Sequence, residues 1–131
     1  WTFYECCKLR LSGHINRVLP LLKVPIGFLR SRAKTNWKQV RGCNFGIYKE
    51  DIINIGGFDE SFTGWGYEDS ELVARAINNQ IYVRRGDYLG TVFHLWHPVT
   101  SREEVDSNQE CLKSTIASGR KRAISSSIDS A

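Results

Sequence analysis

The sequence contains no methionine and begins at Trp1. Because a complete translation product opens on methionine, the chain is expected to be a fragment or a processed piece. No run of 18 apolar residues occurs, which excludes a membrane-spanning helix on length. The first ten residues hold two cysteines, Glu5, Lys8 and Arg10, a composition that does not fit a secretory signal. Cysteine is sparse: Cys6, Cys7, Cys43 and Cys111 include no C-x-x-C pair, which argues against a zinc ribbon and against a disulfide framework. Reduced thiols in a cytosolic protein are the plain expectation.

What is present is globular in character. The 131 residues are 41% hydrophobic and 24% charged, enough for one ordinary domain and too apolar for a disordered chain. The net charge is +4, with basic residues gathered at Arg30, Arg32, Lys34, Lys38 and Arg41 and again at Arg120, Lys121 and Arg122. Nucleic acid, an anionic membrane surface, a phosphorylated substrate and a merely solvated surface all accommodate that charge. No nucleic-acid-binding motif accompanies it, so no nucleic-acid partner is expected.

Pro20 and Pro25 divide the basic, apolar segment 1–38 and forbid one continuous helix through it, so short helices and loops are expected. The pattern from 39 to 118 is sharper. Phe45 to Tyr48 suits a strand, and Lys49 to Ile55 reads as a short helix with Ile52, Ile53 and Ile55 inward, closed by Gly56-Gly57. Glu68 to Asn79 predicts a helix with acidic residues in its first turn and Leu72, Val73, Ala76 and Ile77 on one stripe. Ile81 to Arg84 and Thr91 to Leu95 read as strands. Ser101-Arg102-Glu103-Glu104 has the form of a capping box opening a helix to about Ser118, stopped by Gly119. The serine-rich segment 119–131 is expected to be a mobile tail.

Three constellations carry candidate chemistry. In Gly64-Trp65-Gly66-Tyr67-Glu68-Asp69 an indole stands between two glycines, so its face is open to the C–H face of a sugar ring. Two carboxylates follow at a helix N-terminus, where one is placed to act as general base on a hydroxyl. The plainer alternative is that the acidic pair complements the helix dipole and Trp65 packs; the dipole also weakens a carboxylate as a base. His94 and His97, three apart before Pro98, are either one half of a metal site or structural histidines. The glycines of Arg41-Gly42-Cys43-Asn44 and of Gly56-Gly57-Phe58-Asp59-Glu60 suggest close backbone approach.

Taken in order, these three stretches and Val92-Phe93-His94-Leu95-Trp96-His97-Pro98 resemble the C-terminal galactosyltransferase-type region of family 2 and related GT-A glycosyltransferases. The likeness covers about residues 39–112. It implies an α/β chain, the C-terminal part of a GT-A, Rossmann-like fold whose nucleotide-binding N-terminal half is missing, so that the piece alone is inactive. It implies inverting transfer of a hexose of galactose type from a nucleotide-sugar, expected to be a UDP-sugar, to a hydroxyl of a saccharide or lipid-linked saccharide. Surface polysaccharide synthesis in the cytoplasm, with peripheral contact at the inner membrane face, is the implied setting. By the same resemblance Asp69 is the base. Trp65, Gly66, Glu68, Asn44 and Gly57 bind substrate, and His97 and His94 bind Mn2+ or Mg2+. Ser70 interrupts the longer acidic run that many relatives carry, and no D-x-D motif occurs in the chain. The alternative is a carbohydrate-binding module of the same fold without catalysis.

Overall fold

The computed structural model describes residues 2–15, 17–18, 36–40, 42–84, 92, 98 and 101–130. They fall into two compact units, one drawn from residues 1–33 and 84–94 and the other from 34–83 and 95–131. The described part of the first unit is chiefly one helix, α1 (Phe3–Leu11). It starts where it does because Thr2 and Glu5 form a reciprocal capping box. The Glu5 N–H donates to Thr2 Oγ1 at 3.3 Å, and the Thr2 N–H donates to Glu5 Oε2 at 2.7 Å.

The second unit carries three helices: α2 (Lys49–Asn54), α3 (Glu68–Asn78) and α4 (Val105–Ser118). Short 3-10 turns at Trp37–Gln39 and Gly42–Asn44 precede them. All three helices stop in the same way. A residue at or just after the C-cap turns left-handed, Gly56 (φ 78°), Gln80 (φ 65°) and the C-cap Gly119 itself (φ 66°), and the next N–H reaches back to a carbonyl five residues earlier. In α3 this brings Ile81 onto Ala76, with the Ile81 N–H bonded to the Ala76 carbonyl at 2.9 Å. Ile81 thereby joins the core formed by Ile55, Leu72 and Ala76, against which Phe45 and Ile47 also pack.

α3 is the central element. It packs against both α4 and the Trp37–Gln39 turn. Its Leu72, Val73 and Ala76 are buried as the sequence predicts, while Ile77 is half-buried. Glu71 and Arg75 are buried as well. Arg75 Nε donates to both Glu71 oxygens at 2.8 and 2.9 Å, Nη2 donates to the Gly57 carbonyl at 2.8 Å, and Nη1 donates to the Ile55 carbonyl. Glu71 also accepts from Thr115 Oγ1 of α4 at 3.1 Å and from Arg120 Nη2 at 2.9 Å.

Several expectations are revised. Among the described residues no strand forms: Phe45 to Tyr48 is irregular, Val83 makes a single bridge, and 91 and 93–95 lie outside the described residues. The described fold is therefore helical, and the α/β reading is without support in it. Ile53 faces solvent, because a six-residue helix is too short for its period to fix a face. The third helix of this unit starts at Val105, with Glu104 at its cap and no side-chain capping bond; Ser101 Oγ only accepts from the Glu103 N–H at 3.4 Å.

Residues 120–127, for which serine content suggests mobility, are strapped down. Asn78 Nδ2 donates to the Arg120 carbonyl at 2.8 Å, and Ala123 N–H to that of Ile55 at 3.1 Å. Ile124 N–H donates to Asp59 Oδ2 at 2.9 Å, and Ser127 N–H to Glu60 Oε1 at 2.9 Å. Burial pushes the Asp59 carboxyl upward, but the Ile124 and Ser61 bonds and the Arg120 charge together bring it below its ordinary value. No helix among the described residues is long and apolar enough to cross a membrane.

Candidate active site at the start of α3

The turn leading into α3 is built from residues that tolerate a left-handed backbone. Gly64, Gly66 and Tyr67 have φ of 67°, 117° and 69°. Tyr67 pays a steric cost there that glycine would not. The turn is held from both ends. The Glu68 carboxylate accepts from the Gly66 N–H at 2.9 Å, so the acidic residue expected to touch the acceptor already closes its own loop. From the other side, α4 clamps the turn: Asn108 Nδ2 donates to the Thr63 carbonyl at 2.9 Å, and Gln109 Nε2 to the Tyr67 hydroxyl at 3.3 Å.

This arrangement leaves Trp65 45% exposed, with the Arg102 guanidinium over its ring, 4.9 Å from the ring centre. The sequence also singles out Asp69, one step into the helix. Burial raises its carboxyl above the ordinary aspartate value, the Glu68 charge raises it further, and a hydrogen bond from the Gly42 backbone opposes both. The net shift is upward, which makes Asp69 a better proton acceptor than an exposed aspartate.

The close backbone approach that the sequence suggests at Gly42 is present, and what it approaches is Asp69. A Cβ built on it would collide with the Asp69 carboxylate. Only glycine lets the 42–44 turn approach so closely, and the signal available in the sequence was a bare glycine with no indication of which side chain meets it. Gly42→Ala is expected to displace the carboxylate and lower transfer by about 100-fold. Gly46→Ala, at a position with open space around it, is the control and leaves the rate unchanged. Initial rates on the two variants decide it; equal rates would remove Gly42 from the site.

The remaining sequence candidates divide. Gly66 is part of the loop that Glu68 closes. Asn44 is exposed at the end of the turn that begins at Gly42. Gly57 is engaged elsewhere: its carbonyl takes an Arg75 N–H, and a Cβ on it would run into Ile128. Its left-handed backbone, with φ of 66°, favours glycine there. His94 and His97 lie outside the described residues. Among the described residues no group of three His, Cys, Asp or Glu side chains is arranged to hold a metal ion.

Comparison with known proteins gives this turn a family. Residues 23–98, which include Gly42, Trp65, Glu68, Asp69 and both histidines, match the family described as the N-terminal domain of galactosyltransferase. The chain belongs to that family. Chondroitin sulfate N-acetylgalactosaminyltransferase 1 from Homo sapiens is 38% identical over 107 residues, 76% of this chain and 18% of that protein. Human chondroitin sulfate synthase 3 is 40% identical over 63 residues, 48% of this chain and 7% of that protein. Validoxylamine A glucosyltransferase of Streptomyces hygroscopicus is 43% identical over 47 residues, 36% of this chain and 11% of that protein. The chain thus spans less than a fifth of the length of each of these relatives. No solved structure matches it. The family description corrects one expectation: the region is an N-terminal galactosyltransferase domain and not a C-terminal one. The inference of a missing N-terminal half loses its basis with it.

Proposed function

We propose that this chain carries the acceptor side of a nucleotide-sugar-dependent glycosyltransferase of polysaccharide synthesis, with Asp69 as general base. The observation that supports it best is the Asp69 carboxyl: raised, seated against the Gly42 backbone, and four residues from an exposed indole. In the proposed step Asp69 takes the proton from an acceptor hydroxyl while that oxygen bonds to the anomeric carbon of the donor. The bond from that carbon to the nucleotide diphosphate breaks on the opposite face, so the configuration inverts. Trp65 supplies the stacking face for the acceptor. Glu68 acts through the loop it closes.

The relatives refine the sugar. Two are named for chondroitin sulfate and one of these for N-acetylgalactosamine, which makes an N-acetylhexosamine a better first donor to test than plain galactose. A third is named for glucosyl transfer, so the donor requires a panel of UDP-sugars. No D-x-D occurs among the 131 residues, and no residue of this chain is assigned to the diphosphate through such a motif. Manganese or magnesium at His97 and His94 belongs to the proposal as the group that would neutralise the departing diphosphate. Its test is loss of transfer and of metal uptake in His97→Ala.

The reading is tested on the full-length protein by sugar transfer from UDP-N-acetylhexosamines and UDP-hexoses to oligosaccharide acceptors across pH. Because Asp69 must be ionised to act and its carboxyl is raised, kcat/KM is expected to fall with decreasing pH at a higher pH than an ordinary aspartate would give. Glu68→Gln removes one of the two raising influences and should move that limb to lower pH. Absence of transfer with every donor, or a limb that ignores Glu68→Gln, would count against the assignment.

A further inference from the structure

The loop that carries Trp65 into α3 has little backbone bonding of its own. The Phe62 N–H donates to the Asp59 carbonyl, and the Tyr67 carbonyl takes the Glu71 N–H. Between them, residues 63–66 make no backbone-to-backbone bond among the described residues. α3 itself opens without a side-chain cap, on a left-handed Tyr67. Such a turn keeps one shape only where its surroundings impose it. α4 imposes it along one face. Glu104 and Val105 pack on Gly64 and Gly66, where an added Cβ would stand 3.1 Å from Glu104 Cγ and 3.5 Å from Val105 Cγ2. One turn on, the Asn108 amide donates to the Thr63 carbonyl at 2.9 Å and the Gln109 amide to the Tyr67 hydroxyl at 3.3 Å. Positions spaced in this way share one side of a helix. Two turns further, Thr115 Oγ1 donates to Glu71 at 3.1 Å, two residues after Asp69. One helix thus grips both the loop before Asp69 and the helix that bears it. Asn108 is buried, 3% exposed, and reaches 45 positions back along the chain. It lies beyond residues 23–98, the stretch that the galactosyltransferase family defines.

We propose that Asn108 is a positioning residue for transfer: with Gln109 beside it, it holds loop 63–67 on α4 and so fixes Glu68 and Asp69 in one arrangement. This rests on the reading of Asp69 as the base. A base must meet the acceptor hydroxyl within hydrogen-bond reach, and a displacement of about an ångström removes most of its effect. Asn108 acts through the Thr63 carbonyl, three residues before the Gly66 N–H that Glu68 holds. Freeing Thr63 therefore loosens Gly66, and with it Glu68. Asp69 is then less covered and farther from the Glu68 charge, so both influences that raise its carboxyl weaken together.

The test combines transfer kinetics on the full-length protein with backbone hydrogen exchange, which does not depend on turnover. Asn108→Leu keeps the buried volume and removes the donor. It is expected to lower kcat on the order of 10- to 100-fold with the KM for the nucleotide-sugar unchanged. The acid limb of kcat/KM should move to lower pH, and the amides of 63–67 should exchange faster. Glu110→Ala, on the exposed side of the same helix, leaves all of these at wild-type values. Should Asn108→Leu not fold, Gln109→Leu and Tyr67→Phe decide, because they delete one bond from its two ends. Each is expected to lower kcat about 3- to 10-fold, and the double variant no further than either alone. A lower melting temperature with wild-type kcat and pH limb overturns the proposal, and so does unchanged exchange at 63–67. If Asp69→Asn loses transfer and the α4 variants do not, the base stands and the positioning role falls. If Asp69→Asn transfers normally the base assignment falls, whereas faster loop exchange and lost kcat in Asn108→Leu still assign the brace.

Discussion

Asp69→Asn is expected to lower transfer by about 10²- to 10⁴-fold while leaving the protein at least as resistant to heat at neutral pH. The two halves of that outcome have one cause. Burial, and then the charge of Glu68, raise the Asp69 carboxyl in the folded state. A raised acid favours the fold while protonated, and the advantage is lost as pH rises from its ordinary value to its raised one. At neutral pH the wild-type fold therefore holds an ionised carboxylate it would rather hold neutral. Asparagine keeps the shape and an acceptor for the Gly42 N–H, removes the charge, and cannot take a proton. A purely structural carboxylate capping the helix would behave in the opposite way, losing stability and leaving rate alone. Initial rates and thermal unfolding on the same preparation separate the two. A wild-type rate, or a clear fall in melting temperature, would sink the base assignment.

The parts of the molecule legible in the sequence are those set by near neighbours. The boundaries of α3 follow from its acidic first turn and from the Leu72, Val73 and Ala76 stripe, and the end of α4 follows from Gly119. The turn holding Trp65 was legible for the same reason, since glycines on both sides of one aromatic leave few alternatives. Contacts between distant positions were not legible. Glu60 and Ser127 are 67 residues apart, and nothing in a serine-rich segment announces that its N–H groups will find Asp59 and Glu60. Gly42 and Asp69 pose the same problem across 27 positions of sequence. Arg102 is hidden differently: its segment reads as a capping box, and that local pattern obscures where its side chain lies. Phe45 to Tyr48 has the composition of a strand but spends its apolar residues on the Ile55–Leu72–Ala76 cluster without pairing with another described segment. There β-propensity reports burial and not a ladder.

The largest loss of stability is expected at Arg75. Its guanidinium joins three groups directly, the Glu71 carboxylate one turn earlier and the carbonyls of Ile55 and Gly57, and through Glu71 it is linked to the Thr115 hydroxyl of α4 and to Arg120. Arg75 and Glu71 are both fully buried, so neither can turn to water when its partner is lost. Arg75→Ala leaves a buried carboxylate facing only Arg120 and Thr115, takes the Arg75 donor from the Gly57 carbonyl, and leaves the Ile55 carbonyl with the Ala123 N–H alone. Removing one partner of such a pair costs about 3–5 kcal/mol, set against a whole-domain stability of about 5–15 kcal/mol. The variant should therefore denature at much lower urea, or fail to accumulate as folded protein. Arg75→Lys keeps the charge but has no planar fork to span Glu71 and both carbonyls, and should fall between the two. The informative variant is the double replacement Glu71→Leu with Arg75→Met. It removes both buried charges, so it is expected to be more stable than Arg75→Ala even though it deletes more of the network. If it is instead the least stable of the three, the cost lies in the lost carbonyl anchors of residues 55–57. α3 would then owe its position, and Asp69 its place against Gly42, to hydrogen bonding at that corner more than to the ion pair.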